Sequence, residues 1–246
     1  MSKREEIVKR EKLIIERFLG KKDKEIPDIP EWISDSLLSF WEENLFFLHY
    51  IPEMFFTEDL SLPSFYKKPG KLFYNKIKKG ELGKNSQKLS SKWILVDVRR
   101  RPQKSVFWIN SNADFLFKRM GIDLKKHLKK QSKQIHEKEY LREVLKEKGF
   151  GSRFCLNVEE IRELDSSILK FLQLEDKKVR FPFYLEYNYL VNMIYGEWKE
   201  SDVWEWLEDK LVDGNHLAIG RDVSSFGWDP PSFWSTILTF RPVIEI

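Results

Sequence analysis

The sequence predicts an α+β protein, with several helices around short antiparallel strands and much irregular chain between them. Three observations carry this reading. Residues 3–19 and 157–172 place apolar side chains at helical spacing among charges. Trp93-Ile94-Leu95-Val96-Asp97-Val98 is a short apolar run rich in β-formers, bounded by arginines and Pro102, which reads as a strand. Residues 179–246 interleave aromatics with turn formers, and five of the nine tryptophans lie beyond residue 197.

Composition narrows the class. A chain of 246 residues with 41% hydrophobic and 15% aromatic content can bury a sizeable core and is far from disordered composition. No apolar run approaches the roughly 18 residues of a membrane span, so no membrane association is expected. The charged start, Met1-Ser2-Lys3-Arg4-Glu5-Glu6, lacks the apolar stretch of a secretory signal. Cys155 is the single cysteine, which rules out a disulfide within the chain and suggests a reducing, cytoplasmic setting. The net charge of +4 hides a segregation: residues 67–148 hold 24 Lys/Arg against 8 Asp/Glu, and the remainder is net acidic by 12. Such asymmetry fits either solvated lysine-covered faces or a polyanion-binding surface.

In chain order, Ile7, Ile14, Ile15, Phe18 and Leu19 predict a first helix closed by Gly20. Ser34-Asp35-Ser36 caps a second, in which Leu37, Leu38, Phe40, Trp41, Leu45, Phe46 and Leu48 leave little polar face, so a core helix is expected to run on toward Pro52. Residues 67–92, rich in lysine, glycine and serine, read as a long loop or irregular strand. Ser105–Ile109 can pair back on the 93–98 strand, and Leu124, Leu128, Ile135, Tyr140, Leu141, Val144 and Leu145 form a helical stripe ending at Gly149 and Gly151. Asn157, followed by Glu159 and Glu160, opens a helix burying Ile161, Leu164, Ile168, Leu169 and Leu172. Pro182 keeps its predecessor extended; a short helix follows with Tyr187, Leu190, Val191 and Ile194 inward. Asp202 suits the cap of a turn carrying Trp204 and Trp206, and His216–Gly220 and residues 236–246 read as strands.

Four pieces of this last stretch resemble a known family. Arg180, Pro182, Glu186, Tyr187 and Tyr189 fall in the register of the arginine-leucine-proline-threonine-glutamate-alanine-glutamate-tryptophan-glutamate-tyrosine motif of formylglycine-generating-enzyme-like (sulfatase-modifying-factor) domains. Asp202-Val203-Trp204-Glu205-Trp206 looks like that family's asparagine-valine-tryptophan-glutamate-tryptophan. Leu217-Ala218-Ile219-Gly220-Arg221 resembles its strand ending in glycine-glycine-serine-tryptophan, and Thr239-Phe240-Arg241-Pro242-Val243 its terminal glycine-phenylalanine-arginine-proline-valine. The pieces occur in the family's order and cover about the last 70 residues. The resemblance implies an irregular C-type-lectin-like fold, with Arg180, Glu186, Trp204, Glu205, Trp206, Gly220 and Arg241 as its structural motif. On that reading residues 1–66 are a helical N-terminal elaboration of a lectin-like domain at 67–246, whose motif-bearing part is 150–246, or the whole chain is one domain.

The departures bear on chemistry. Oxidising members of the family hold copper with a C-terminal cysteine pair, and this chain has Cys155 alone, upstream of every matched piece. The iron-dependent relatives need a histidine set, whereas His49, His127, His136 and His216 lack ligand spacing, and a structural role is expected for His49. No cofactor or metal is therefore expected. Calcium, bound by some relatives, stays open, although no loop of clustered oxygen ligands supports it. Asp97 with Glu53 is the one acid/base pair on offer, and Asp97 before three arginines reads more simply as a local ion pair.

Three functional readings remain. The first is a non-enzymatic binding protein of the kind that bacterial retroelements diversify, contacting a protein or small-molecule ligand through residues 222–236. There Trp228, Phe233 and Trp234 are aromatic anchors and Asp222, Ser224, Ser225, Asp229 and Ser232 polar contacts; Trp228 and Trp234 equally suit a core. The second is nucleic-acid binding through the basic segment 67–148, with Arg99, Arg100, Arg101, Lys125, Lys126, Lys129 and Lys130 on phosphates. The third is a divergent enzyme that retains an unrecognised site; a reactive Cys155 would stand exposed in an electropositive cleft, and a structural one would be buried and inert.

Overall fold

Helix α1 (Lys3–Leu19) begins at a capping box: the Ser2 hydroxyl accepts from the Glu5 amide at 3.2 Å, and the Glu5 carboxylate accepts from the Ser2 amide at 2.8 Å. It ends at Gly20, whose φ of 64° closes the last turn where a side chain would be strained. Its inner stripe is Ile7, Glu11, Ile15 and Phe18. The computed structural model describes residues 1–20, 25–62, 65, 67–99, 157–200, 203–220, 222–233 and 238–246. The Ser105–Ile109 strand, the 112–145 helical stripe and Cys155 all lie outside these residues.

The second helix corrects the sequence reading. Helix α2 (Asp35–Glu43), capped by Ser34, stops early, and Leu45 turns the chain with a φ of 62°. Residues Phe46–Ile51 then form strand β1. The apolar run that reads as a continuous core helix is a helix followed by a strand buried on both faces, and periodicity cannot separate those two cases over so few residues. Residues 1–66 thus contribute β1 and the two-residue strand β2 (Met54–Phe55) as well as helices.

The lysine-rich stretch is also more ordered than its composition suggests. Residues Lys71–Lys78 form α3, burying Phe73, Tyr74 and Ile77 beneath its lysines. A short 3-10 turn (Lys84–Gln87) and strand β3 (Lys88–Leu89) follow, and β3 pairs with β2. Three inward apolar residues among so many lysines make too weak a period to read. Strand β4 (Lys92–Asp97) stands where the sequence put it.

Asn157 and Glu160 cap each other's backbone, both at 2.9 Å, to open α4 (Val158–Arg162), and α5 (Asp165–Leu172) follows after a break. Ile161, Leu164, Ile168, Leu169 and Leu172 are all buried. Strand β5 (Val179–Arg180) leads into α6 (Tyr184–Met193), of whose ten residues nine are buried, Glu186 and Asn188 among them.

Two four-stranded sheets organise these parts. The first is antiparallel, in the order β1-β4-β10-β5, with β10 being Val243–Glu245. Phe47 lies opposite Val96, and Val243 lies between Val96 and Arg180. Leu48, Leu95 and Ile244 enter one core cluster, while Ile51, Ile94, Val96 and Val243 enter the other, so the sheet is buried on both sides. The second sheet has the order β8-β7-β6-β9: β6 (Trp204–Lys210), β7 (His216–Ile219), β8 (Gly227–Asp229) and β9 (Leu238–Thr239). It is antiparallel except that β9 runs parallel to β6. Residues 204–206, read as a turn, are the start of a strand: Trp206 and Leu207 enter opposite core clusters, which is the alternation a strand imposes. The architecture is α+β, with mainly antiparallel sheets.

Candidate functional site

The charged residues of the C-terminal stretch divide into an internal set and an outer face. Arg241, 1% exposed, follows β9 and reaches Glu205 on β6 with two hydrogen bonds, of 3.1 and 2.8 Å. Its remaining nitrogen donates to the backbone oxygens of Asp97 and Arg99, and its guanidinium lies 3.6 Å from the centroid of the Trp198 ring. Burial disfavours its charge, but Glu205 and Asp97 outweigh that and raise its pKa. Arg180 holds Glu186 end-on through Nη1 and Nη2 at 2.7 and 2.8 Å, and Lys92 adds a contact of 3.0 Å. Burial pushes the Glu186 carboxyl up, and Arg180 more than offsets it, leaving the pKa lowered.

Trp204 and Trp206 differ in surroundings. Trp206 is fully buried, whereas Trp204 lies partly buried against two glycines. A Cβ on Gly220 would stand 2.8 Å from its indole, too close for the ring to stay in place, and one on Gly227 would make a tight contact at 3.2 Å. His49 is buried between Glu11 (3.0 Å) and the Tyr195 hydroxyl (2.6 Å), and His216 binds the Leu207 carbonyl at 3.0 Å. Both are structural. Arg99, proposed for phosphate, is buried with its guanidinium on Asp97. Glu53 pairs with Lys88 at 2.7 Å. Arg100, Arg101, Lys125, Lys126, Lys129 and Lys130 lie outside the described residues, as do Asp202, Arg221 and Trp234.

The outer face is built by residues 222–233 together with α3. Asp222 accepts from Lys67 at 3.0 Å and from the Ser224 amide and hydroxyl at 3.2 and 2.8 Å. Burial pushes its carboxyl up, but Lys67 and Ser224 bring its pKa below the usual value. The Ser225 hydroxyl donates to the Asp222 carbonyl at 3.3 Å, so both serines hold the turn. Gly70 donates its amide to the Ser224 carbonyl at 2.7 Å, joining this turn to the start of α3. Trp228, on the edge strand β8, is 38% exposed, and the Lys76 ammonium sits 4.0 Å from its ring centroid. Asp229 follows it, its carboxyl pushed up by burial. Phe233, 40% exposed, and Ser232 extend the face, and the Pro231 carbonyl anchors the loop by accepting from the Val158 amide at 3.0 Å.

Sequence reading missed the α3 side of this face. Lys67 and Lys76 belong to it, and Leu72, one turn before Lys76 on the same helix, is also 38% exposed. The sequence carries only Phe73, Tyr74 and Ile77 as its signal, three inward residues that are too few to mark the helix. Among the described residues no group of three or more His, Cys, Asp or Glu side chains is placed to hold a metal ion, and no helix is long and apolar enough to cross a membrane. Comparison with family models, with curated proteins and with solved structures finds no match.

Proposed function

We propose that the chain is a non-enzymatic binding protein on a formylglycine-generating-enzyme-like, C-type-lectin-like scaffold, of the kind bacterial retroelements diversify, and that its ligand is a protein or small molecule held by the 222–233 face. The observation that carries the reading is the contrast between tryptophans. Trp198 and Trp206 have no exposed surface, whereas Trp228 stands open on an edge strand with a lysine against its ring. An exposed aromatic beside a lysine and a partly buried acid is the composition of a recognition anchor. What supports the scaffold is that four charged residues of the resembling pieces form two bidentate pairs, Arg180–Glu186 and Arg241–Glu205.

The test is a screen of the purified protein against glycan and peptide arrays, repeated with Trp228→Ala and Asp229→Asn. The reading expects an array signal that either change removes at unchanged melting temperature. A signal that survives both changes, or falls steeply with salt alone, would move binding to the basic middle segment.

A further inference from the structure

A second site lies apart from that face and shares no residue with it. A cavity of 370 Å³ opens between the turn before β3, the start of β4, the first turn of α6 and the end of β6. Such a volume is at the small end of ligand pockets. Its floor includes Asp209, 5% exposed. Burial pushes this carboxyl up to about 6, against which the Tyr184 amide and Ser86 hydroxyl act in part. The Tyr184 amide donates to it at 2.6 Å. Two donors fill about half of the roughly four acceptor positions a carboxylate offers. Among the described residues no cation pairs with it, and the neighbouring charges that act on it, Glu186 and Glu208, are both acidic.

The other groups around the cavity narrow what fits. Lys88 is engaged by Glu53 at 2.7 Å, and Lys92 by Glu186 at 3.0 Å and Glu245 at 3.4 Å. The lining thus holds two paired lysines against three carboxylates. An anion at the α6 N-terminus would find its amides taken, since Phe183 donates to Glu186 at 3.0 Å and Tyr184 to Asp209. A divalent metal wants several oxygen ligands, and among the described residues Asp209 is the one lining carboxylate without a cationic partner. A primary ammonium asks for less: three acceptors around one nitrogen, which Asp209, Ser86 and the Asn85 amide oxygen can supply, with Phe183 and Leu185 as walls for a short body.

We propose that this cavity binds a small primary-amine ligand, its ammonium seated on the Asp209 carboxylate. The ligand supplies the counter-ion that the described residues do not, because a buried carboxylate without one is tolerated at functional sites and removed elsewhere.

Ligand-observed NMR and calorimetry at pH 7.5 (about a unit and a half above the Asp209 pKa) test this with ethanolamine and putrescine as probes. Ethylene glycol, acetate and calcium chloride serve as counter-probes. The amines should bind the wild-type chain and the counter-probes should not. Asp209→Asn keeps an acceptor for the Tyr184 amide, and should weaken amine binding about tenfold or more by removing a charge-assisted contact. Ser90→Phe fills the mouth of the cavity from an exposed position and should abolish binding with Asp209 untouched; it decides the matter if Asp209→Asn does not fold. Trp228→Ala should leave amine binding unchanged, which separates this site from the outer face. No amine binding to the wild type, equal binding to Ser90→Phe or to folded Asp209→Asn, or preferential binding of calcium would each overturn the proposal.

Discussion

Strand β6 buries two carboxylates, Glu205 near its start and Asp209 near its end, and their surroundings are opposite. Glu205 meets Arg241 through two hydrogen bonds, and the guanidinium's other donors are taken by backbone oxygens. Asp209 meets an amide and a hydroxyl but no cation among the described residues. The first arrangement is closed, since its carboxylate and guanidinium satisfy each other and leave little to offer a ligand. The second is open toward a cavity. The same residue chemistry on one strand therefore serves the fold at one end and faces a cavity at the other, and the difference among the described residues is whether a counter-charge is built in.

The largest expected effect breaks the closed end. Arg241→Ala should destabilise by about 3–5 kcal/mol, because it strands the Glu205 carboxylate in the core. Urea unfolding would show it. The double variant Glu205→Gln with Arg241→Met should recover much of the loss, since removing both charges removes the stranded one. No recovery would mean that the guanidinium's backbone contacts and its seat on Trp198 dominate.

Asp209→Asn should do the reverse. The folded carboxyl titrates near 6, above its ordinary value of 3.8, so the folded state holds the proton more tightly than the unfolded chain does. Stability contributed by this group is full below about 4, falls as pH rises toward about 6, and is then constant. At pH 8 the ionised acid costs up to about 3 kcal/mol, which Asp209→Asn should relieve, flattening that limb of the stability–pH curve. Glu186 contributes the opposite limb: its pKa is lowered, so its contribution is present above about 4.5 and lost as pH falls. Melting curves from pH 3.5 to 8 on wild type and Asp209→Asn check both signs. An unchanged wild-type-minus-variant difference across pH 4–6 would show that Asp209 is not the titrating group.

Gly220→Ala is expected to cost about 1–3 kcal/mol by overpacking, because its Cβ would meet the Trp204 indole at 2.8 Å. Combining it with Trp204→Leu should remove most of the penalty. Equal stability of Gly220→Ala and wild type would show that the indole has room to shift. The smallest effect belongs to the outer face: Trp228→Ala should change stability by no more than about 0.5 kcal/mol, as a surface change does, and register only in binding. A large loss would make Trp228 part of the core.

Much of the fold is legible in the amino-acid order because it rests on local chemistry. The Asn157 cap, the Gly20 stop, the β-forming run in β4 and the buried stripe of Ile161, Leu164, Ile168, Leu169 and Leu172 follow from backbone hydrogen bonding and apolar period alone. The structural role of Arg180, Glu205 and Arg241 is legible only through the family resemblance, and burial among aromatics is why each of them is paired. The misreadings share a cause. The run from Leu37 to Leu48 and the Trp204–Trp206 segment are apolar enough to be buried either as helix or as strand, and α3 has too few inward residues to show a period.

Other features have no local signal at all. Which partner each buried charge meets depends on chain segments brought together from far apart: Arg241 with Glu205 and Arg99, Lys92 with Glu186, Lys76 with Trp228. Residue types and their order are enough to make the C-terminal stretch a core of aromatics and paired charge. They do not say that Glu205 finds its arginine while Asp209 meets none among the described residues, because pairing in a low-dielectric interior is settled by distances that only packing sets.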